Sequence, residues 1–95
     1  MRQQPQPRFA LGQVVATPGA LEALQTAKQD PAALLSRHIT GDWGDLYEED
    51  KAENEFSVDK ELRILSTYPL TAQVKIWVIT EADGSVTTLL LPEEY

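Results

Sequence analysis

The chain contains no cysteine. Disulfides, thiolate metal sites and cysteine nucleophiles are excluded by that absence alone. It contains a single histidine, His38, so no pair of imidazoles can anchor a metal. No apolar run approaches the roughly 20 residues of a membrane-spanning helix. Neither a nucleophile elbow, a phosphate loop nor a dinucleotide fingerprint is present. Gly12 and Gly19 stand too far apart to cradle a phosphate. Positive charge is scarce: Arg2, Arg8, Lys28, Arg37, Lys51, Lys60, Arg63 and Lys75 are scattered, and no stripe of them could neutralise several phosphates. Direct nucleic-acid binding is therefore not expected. The start, Met1-Arg2-Gln3-Gln4-Pro5-Gln6-Pro7, has no apolar secretory region, which sets the expectation of a cytoplasmic protein. An acidic balance is also repelled by an anionic membrane surface, so no membrane partner is expected.

What the chain does have is an excess of acid, and all of that excess in one place. Between Asp42 and Glu61 there are nine acids against Lys51 and Lys60, and that segment carries the whole net charge of −7. The remainder is balanced. A length of 95 residues allows one domain. The hydrophobic fraction of 42% suits one modest core, so wholesale disorder is not expected.

Residues 1–8 read as a disordered, Gln/Pro-rich lead-in, and residues 9–95 as a single α+β domain. Phe9 to Ala16 alternates as a strand, with Ala10, Gly12, Val14 and Ala16 forming a small apolar face. Thr17-Pro18 and Asp30-Pro31 are two copies of one device: a capping side chain followed by a proline whose missing N–H has no partner there anyway. Helix 1 would bury Ala20, Leu21, Leu24 and Ala27. Helix 2 would bury Leu34, Leu35, His38 and Ile39 and stop at Gly41. Leu46 to about Phe56 is expected as helix 3, with Leu46, Tyr47 and Phe56 as its large apolar residues. Leu62–Tyr68, Val74–Thr80 and Val86–Leu91 read as strands, with Asp83-Gly84 as a hairpin turn. In the middle strand Val74, Ile76 and Val78 share one face, and Lys75, Trp77 and Ile79 the other.

Each residue that could carry chemistry has a plainer reading beside it. His38 is placed by its helical stripe at the edge of the core; a lone imidazole with no second ligand reads first as a packed side chain and second as a general base. Asp42, Asp45, Glu48 and Glu49 could offer oxygen to a divalent cation, but Gly44 stands where an EF-hand needs a ligand, and no glycine holds its sixth position. A solvated acidic face is the simpler reading, and no metal or cofactor is expected. Trp43 and Trp77 read as packing or as interface anchors.

The segments Gly12-Gln13-Val14-Val15-Ala16-Thr17-Pro18-Gly19-Ala20-Leu21, Arg37-His38-Ile39-Thr40-Gly41-Asp42-Trp43-Gly44, Lys75-Ile76-Trp77-Val78-Ile79-Thr80-Glu81-Ala82-Asp83 and Leu91-Pro92-Glu93-Glu94-Tyr95 are also informative together. Over about residues 9–95 the chain resembles a family of small uncharacterised bacterial proteins found on chromosomes and on plasmids or other mobile elements. Its members often carry the label "plasmid-related" or "type I restriction modification subunit". The second label does not describe a chemistry this chain can perform. An adenine methyltransferase needs a far longer cofactor domain and an Asn/Asp-Pro-Pro-aromatic motif, which is absent.

The expected architecture is an antiparallel sheet of about four strands. The N-terminal strand joins a C-terminal three-stranded meander, and two or three helices inserted after the first strand pack on one face. The expected function is a non-enzymatic acidic protein–protein interaction module, in one form a mobile-element or anti-defence accessory. Its candidate contact residues are Asp42, Trp43, Asp45, Glu48, Glu49, Asp50, Glu53 and Trp77, and its partner an unidentified protein with a basic surface. The alternatives are a homo-oligomeric structural protein (a homodimer in its simplest form) using the Trp77 sheet face, and a small metal-dependent hydrolase around His38, Asp42 and Asp45.

Overall fold

Residues 6–95 are described by a computed structural model of the chain. The lead-in expected over residues 1–8 lies, for residues 1–5, outside the described residues. Strand β1 (Gln13–Ala16) is followed by helices α1 (Pro18–Thr26), α2 (Pro31–Ile39) and α3 (Glu48–Lys60), then by strands β2 (Ile64–Pro69), β3 (Lys75–Thr80) and β4 (Val86–Leu90). A 3-10 turn, Pro92–Glu94, closes the chain.

The two capping devices fold as their sequences dictate. Thr17 accepts a hydrogen bond from the Ala20 N–H, and Asp30 accepts one from the Ala32 N–H. Each satisfies a helix-end donor that would otherwise go unpaired. At the end of α2, Gly41 has φ +92°. The Gly41 N–H donates to the His38 carbonyl, and the Asp42 N–H to the Arg37 carbonyl. This is the paired-bond ending that a left-handed glycine permits.

The sheet has the order β1-β4-β3-β2. β2, β3 and β4 form the antiparallel meander, with Val78 opposite Ser66 on one side and Leu89 on the other. β1, however, pairs with β4 in parallel, Val14 opposite Thr87 and Ala16 opposite Leu89. The sheet is therefore mixed, not antiparallel throughout. Parallel pairing requires the intervening chain to return to the end of the sheet where β1 began, and the three helices and the meander make that return. β1 is also shorter than the Phe9–Ala16 expectation. Gly12 has φ +65°, and a Cβ there would run into the carbonyl oxygens of Gly84 and Ser85. The chain bends at Gly12, and Phe9 leaves the sheet to pack against the His38 and Trp43 rings.

α1 packs against β4 and α2 against β3. Ala20, Leu24 and Leu34 meet Tyr68, Ile76, Val78 and Leu89 in one core cluster. Burying each of these large apolar side chains stabilises the fold by roughly 1.5–3 kcal/mol. Leu21, expected in the stripe of helix 1, is instead 51% exposed.

α3 lies along β2 and departs from expectation in both its bounds and its buried face. Tyr47 and Phe56 are exposed, while Asn54 and Ser57 are buried. The Asn54 amide donates to the Leu65 carbonyl (2.6 Å), and its oxygen accepts from the Leu65 N–H (3.3 Å). Beside it, the Asp45 N–H donates to the Thr67 carbonyl, and the Thr67 N–H to the Trp43 carbonyl. Side chain and loop thus complete the backbone pairing that an edge strand lacks.

Candidate functional site

The residues singled out in the sequence fall into two places. The first is a buried polar chain centred on His38, which is fully enclosed. Its Nδ1 lies 2.6 Å from Ser66 Oγ and its Nε2 2.9 Å from Thr80 Oγ1. Thr80 Oγ1 lies 2.7 Å from Thr87 Oγ1, which donates to the Leu11 carbonyl at 2.7 Å. One proton per hydroxyl then fixes every direction. Thr87 gives its proton to Leu11, so it accepts from Thr80. Thr80 therefore accepts from His38 Nε2–H, and Ser66 donates to Nδ1. The imidazole is a neutral Nε2–H tautomer, and burial pushes its pKa down from 6.5 to about 4. Neither ring nitrogen meets a carboxylate. Asp42 accepts from Arg37 Nε at 2.6 Å and from the Gly44 N–H, and the Arg37 guanidinium holds its carboxyl below the usual carboxylate range. The constellation of His38, Asp42 and Asp45 is not assembled, and its residues serve the fold. Among the described residues, no group of three His, Cys, Asp or Glu side chains could hold a metal ion.

Trp43 also belongs inside. It is 4% exposed and stacks on Phe9, with centroids 6.2 Å apart. Its Nε1–H donates to Glu55, which also takes both terminal nitrogens of Arg8. Hydrogen bonding from Arg8 first, and from Trp43 after it, lowers the Glu55 pKa. The ring has no free face for a partner.

The second place is a cleft of about 420 Å³ on the far face of the sheet. One wall is α3, which turns Asp50, Glu53, Asn54 and Ser57 toward it; that i, i+3, i+4, i+7 spacing is one helical face. Trp77 and Tyr95 line the same cleft. Their rings meet edge to face with centroids 5.6 Å apart. Arg63, the cation in the lining, donates to Tyr95 Oη at 2.7 Å and lies 3.6 Å from Glu81. The acidic helix and the Trp77 face, separate features in the sequence, border the same opening.

Most of the acidic segment is uncompensated. Glu55 pairs with Arg8, Asp42 with Arg37, and Glu48 with Lys51 at 3.7 Å. Asp45, Glu49, Asp50, Glu53, Asp59 and Glu61 form no ion pair among the described residues. Of the eight candidate contact residues, Asp50, Glu53 and Trp77 line the cleft, and Asp45, Glu48 and Glu49 are exposed nearby in sequence. Asp42 and Trp43 serve packing and local pairing. Sequence reasoning missed Asn54, Ser57 and Tyr95. The helix buries polar groups here, so hydrophobic periodicity carries no signal for them, and Tyr95 reaches Trp77 only through the closing turn. No protein-family model matches this chain, and no curated protein or solved structure matches it. No helix among the described residues is long and apolar enough to cross a membrane.

Proposed function

We propose that the protein is a non-enzymatic interaction module, acting in the cytoplasm, that receives a basic segment of a partner protein. The observation that carries this reading is the cleft lined by Asp50 and Glu53 together with the Trp77 and Tyr95 rings, of which Tyr95 already has Arg63 over it and Trp77 is left for an incoming cation. Carboxylates attract a lysine or arginine over several ångströms, and an aromatic wall adds cation–π contact once the group is desolvated. The unpaired acids around it raise the encounter rate and make it depend on salt. Proteins that handle nucleic acid carry such basic surfaces. An accessory of a mobile element that blunts a host defence is therefore one concrete form of the role, in keeping with the resemblance to small bacterial proteins found on chromosomes and on plasmids or other mobile elements.

The test is affinity capture from a host lysate with wild-type bait beside a D50N/E53Q/W77A variant, at low and high salt. The reading expects a partner that the wild type retains at low salt, that high salt releases and that the variant loses. A partner held equally by both baits, or one indifferent to salt, would sink it. Self-association through the Trp77 face is the weaker reading, because Asp50 and Glu53 line the same cleft and would bring like charges together in two copies.

A further inference from the structure

Each arginine among the described residues is seated in the same way. Arg8 lies over the Trp43 ring, 5.8 Å from its centroid, and gives both terminal nitrogens to Glu55. Arg37 lies over Tyr68 at 4.5 Å and donates from Nε to Asp42. Arg63 lies over Tyr95 at 5.3 Å and 3.6 Å from a Glu81 oxygen. In all three places an aromatic face and a carboxylate share one guanidinium. The lysines differ. Lys51 pairs with the exposed Glu48 at 3.7 Å, and among the described residues no lysine stands over a ring. The contrast has a physical cause. A guanidinium is planar and weakly hydrated, so it lies on a ring and bonds a carboxylate with its edge at the same time. An ammonium is a compact charge that holds its water.

The cleft beside α3 offers the same two parts. Trp77 lines it together with Asp50 and Glu53, and neither carboxylate forms an ion pair among the described residues. Arg8, Arg37 and Arg63 are each committed to another ring. Resting on the reading of this cleft as a docking site, we propose that it is selective for an arginine side chain of the partner protein, laid on Trp77 and bonded to Asp50 and Glu53, and that it discriminates against lysine. Asp50 and Glu53 stand three residues apart on one helical face, so two carboxylates serve one planar fork. Leu46, Leu65 and Ile79 also line the cleft and suit the apolar stem of a long side chain. Charge complementarity alone would accept either basic residue. The ring is what separates them, as it does at Trp43, Tyr68 and Tyr95.

The test is a nuclear magnetic resonance titration of the full chain with two capped peptides, Gly-Ser-Arg-Ser-Gly and Gly-Ser-Lys-Ser-Gly, at millimolar concentration. The chain has two tryptophans, and W77F assigns their indole N–H signals. The arginine peptide should shift the Trp77 signal and leave that of buried Trp43 in place. The lysine peptide should bind about tenfold more weakly. In W77L, followed at the Ser57 amide, the two peptides should bind weakly and alike, and D50N/E53Q should lose both. Should W77L fail to fold, W77F decides: phenylalanine is the poorer cation–π partner, so the preference should shrink. Lysine binding as tight as arginine binding, or a preference that survives these changes at Trp77, would overturn the inference and leave the docking role of the cleft standing. No shift at Trp77 with either peptide would overturn the docking role as well. Arg2 lies outside the described residues, so R2Q completes the set. It should leave the Trp77 signal of the free chain unmoved; a shift there would overturn the proposal in favour of an arginine of the chain's own.

Discussion

His38 is the residue on which the interior turns. Its burial as a neutral tautomer makes stability depend on pH, and the sign follows from the direction of its shift. The folded-state pKa of about 4 lies below the unfolded value of 6.5. The unfolded chain therefore binds the extra proton first, and stability is full above about pH 6.5 and declines as pH falls toward 4. That span is worth about 3 kcal/mol, a large share of the total for a small domain. Urea midpoints measured across this window should fall in the wild type. H38A should flatten the dependence while costing about 3 kcal/mol or more at neutral pH, because it leaves a cavity and strands Ser66 and Thr80. Asp42 and Glu55, lowered chiefly by their arginine partners, contribute stability that is lost as pH falls through their lowered pKa values. The place of His38 beside Leu34 was legible from helical spacing. Its partners Ser66 and Thr80, and Thr87 behind Thr80, were not, since only the sheet register brings these side chains from three separate strands into one chain of hydrogen bonds.

The elements divide by how much of their information is local. α1 and α2 were legible because each opens on a capping residue followed by proline, and α2 closes on Gly41. T17A and D30A should each cost about 1 kcal/mol in thermal or chemical denaturation, the ordinary value of a lost cap. α3 was the least legible. Its buried face is Asn54 and Ser57, and what holds it is a side-chain imitation of strand pairing, which leaves no apolar stripe to read. N54A should therefore cost about 1–3 kcal/mol through the unpaired Leu65 groups. Hydrogen exchange at Leu65 should accelerate far more than at Ile79, on the neighbouring strand. If Leu65 remains protected in N54A, α3 is not what closes the β2 edge. β1 was read too long for the converse reason. Its alternation continues back to Phe9, but the positive φ of Gly12 and the aromatic contacts of Phe9 are set by distant chain. The parallel pairing of β1 likewise depends on where the helices return the chain, which no local pattern states.

For the whole molecule, acid gathers at the β2 edge of the sheet, and the strand at the opposite edge, β1, is neutral. The acidic arm is the feature most visible in composition, and the cleft that gives it an aromatic wall is visible only once folded. Neutralising these acids relieves the Glu49–Glu53 repulsion but removes the Glu48–Lys51 pair and the first-turn carboxylates Glu48, Glu49 and Asp50, which favour the helix dipole, and these effects are of similar size and opposite sign. The E48Q/E49Q/D50N/E53Q variant should therefore melt within a few degrees of the wild type by calorimetry; a large loss of stability would show these acids to be structural. Function and folding then separate cleanly in the measurement that bears most directly on the acidic cleft, a lysate capture comparing this folded variant with wild type across a salt series. A partner with a basic surface should be held by the wild type at low salt, released at high salt and absent from the variant's catch. Equal retention by both baits at every salt concentration would contradict it.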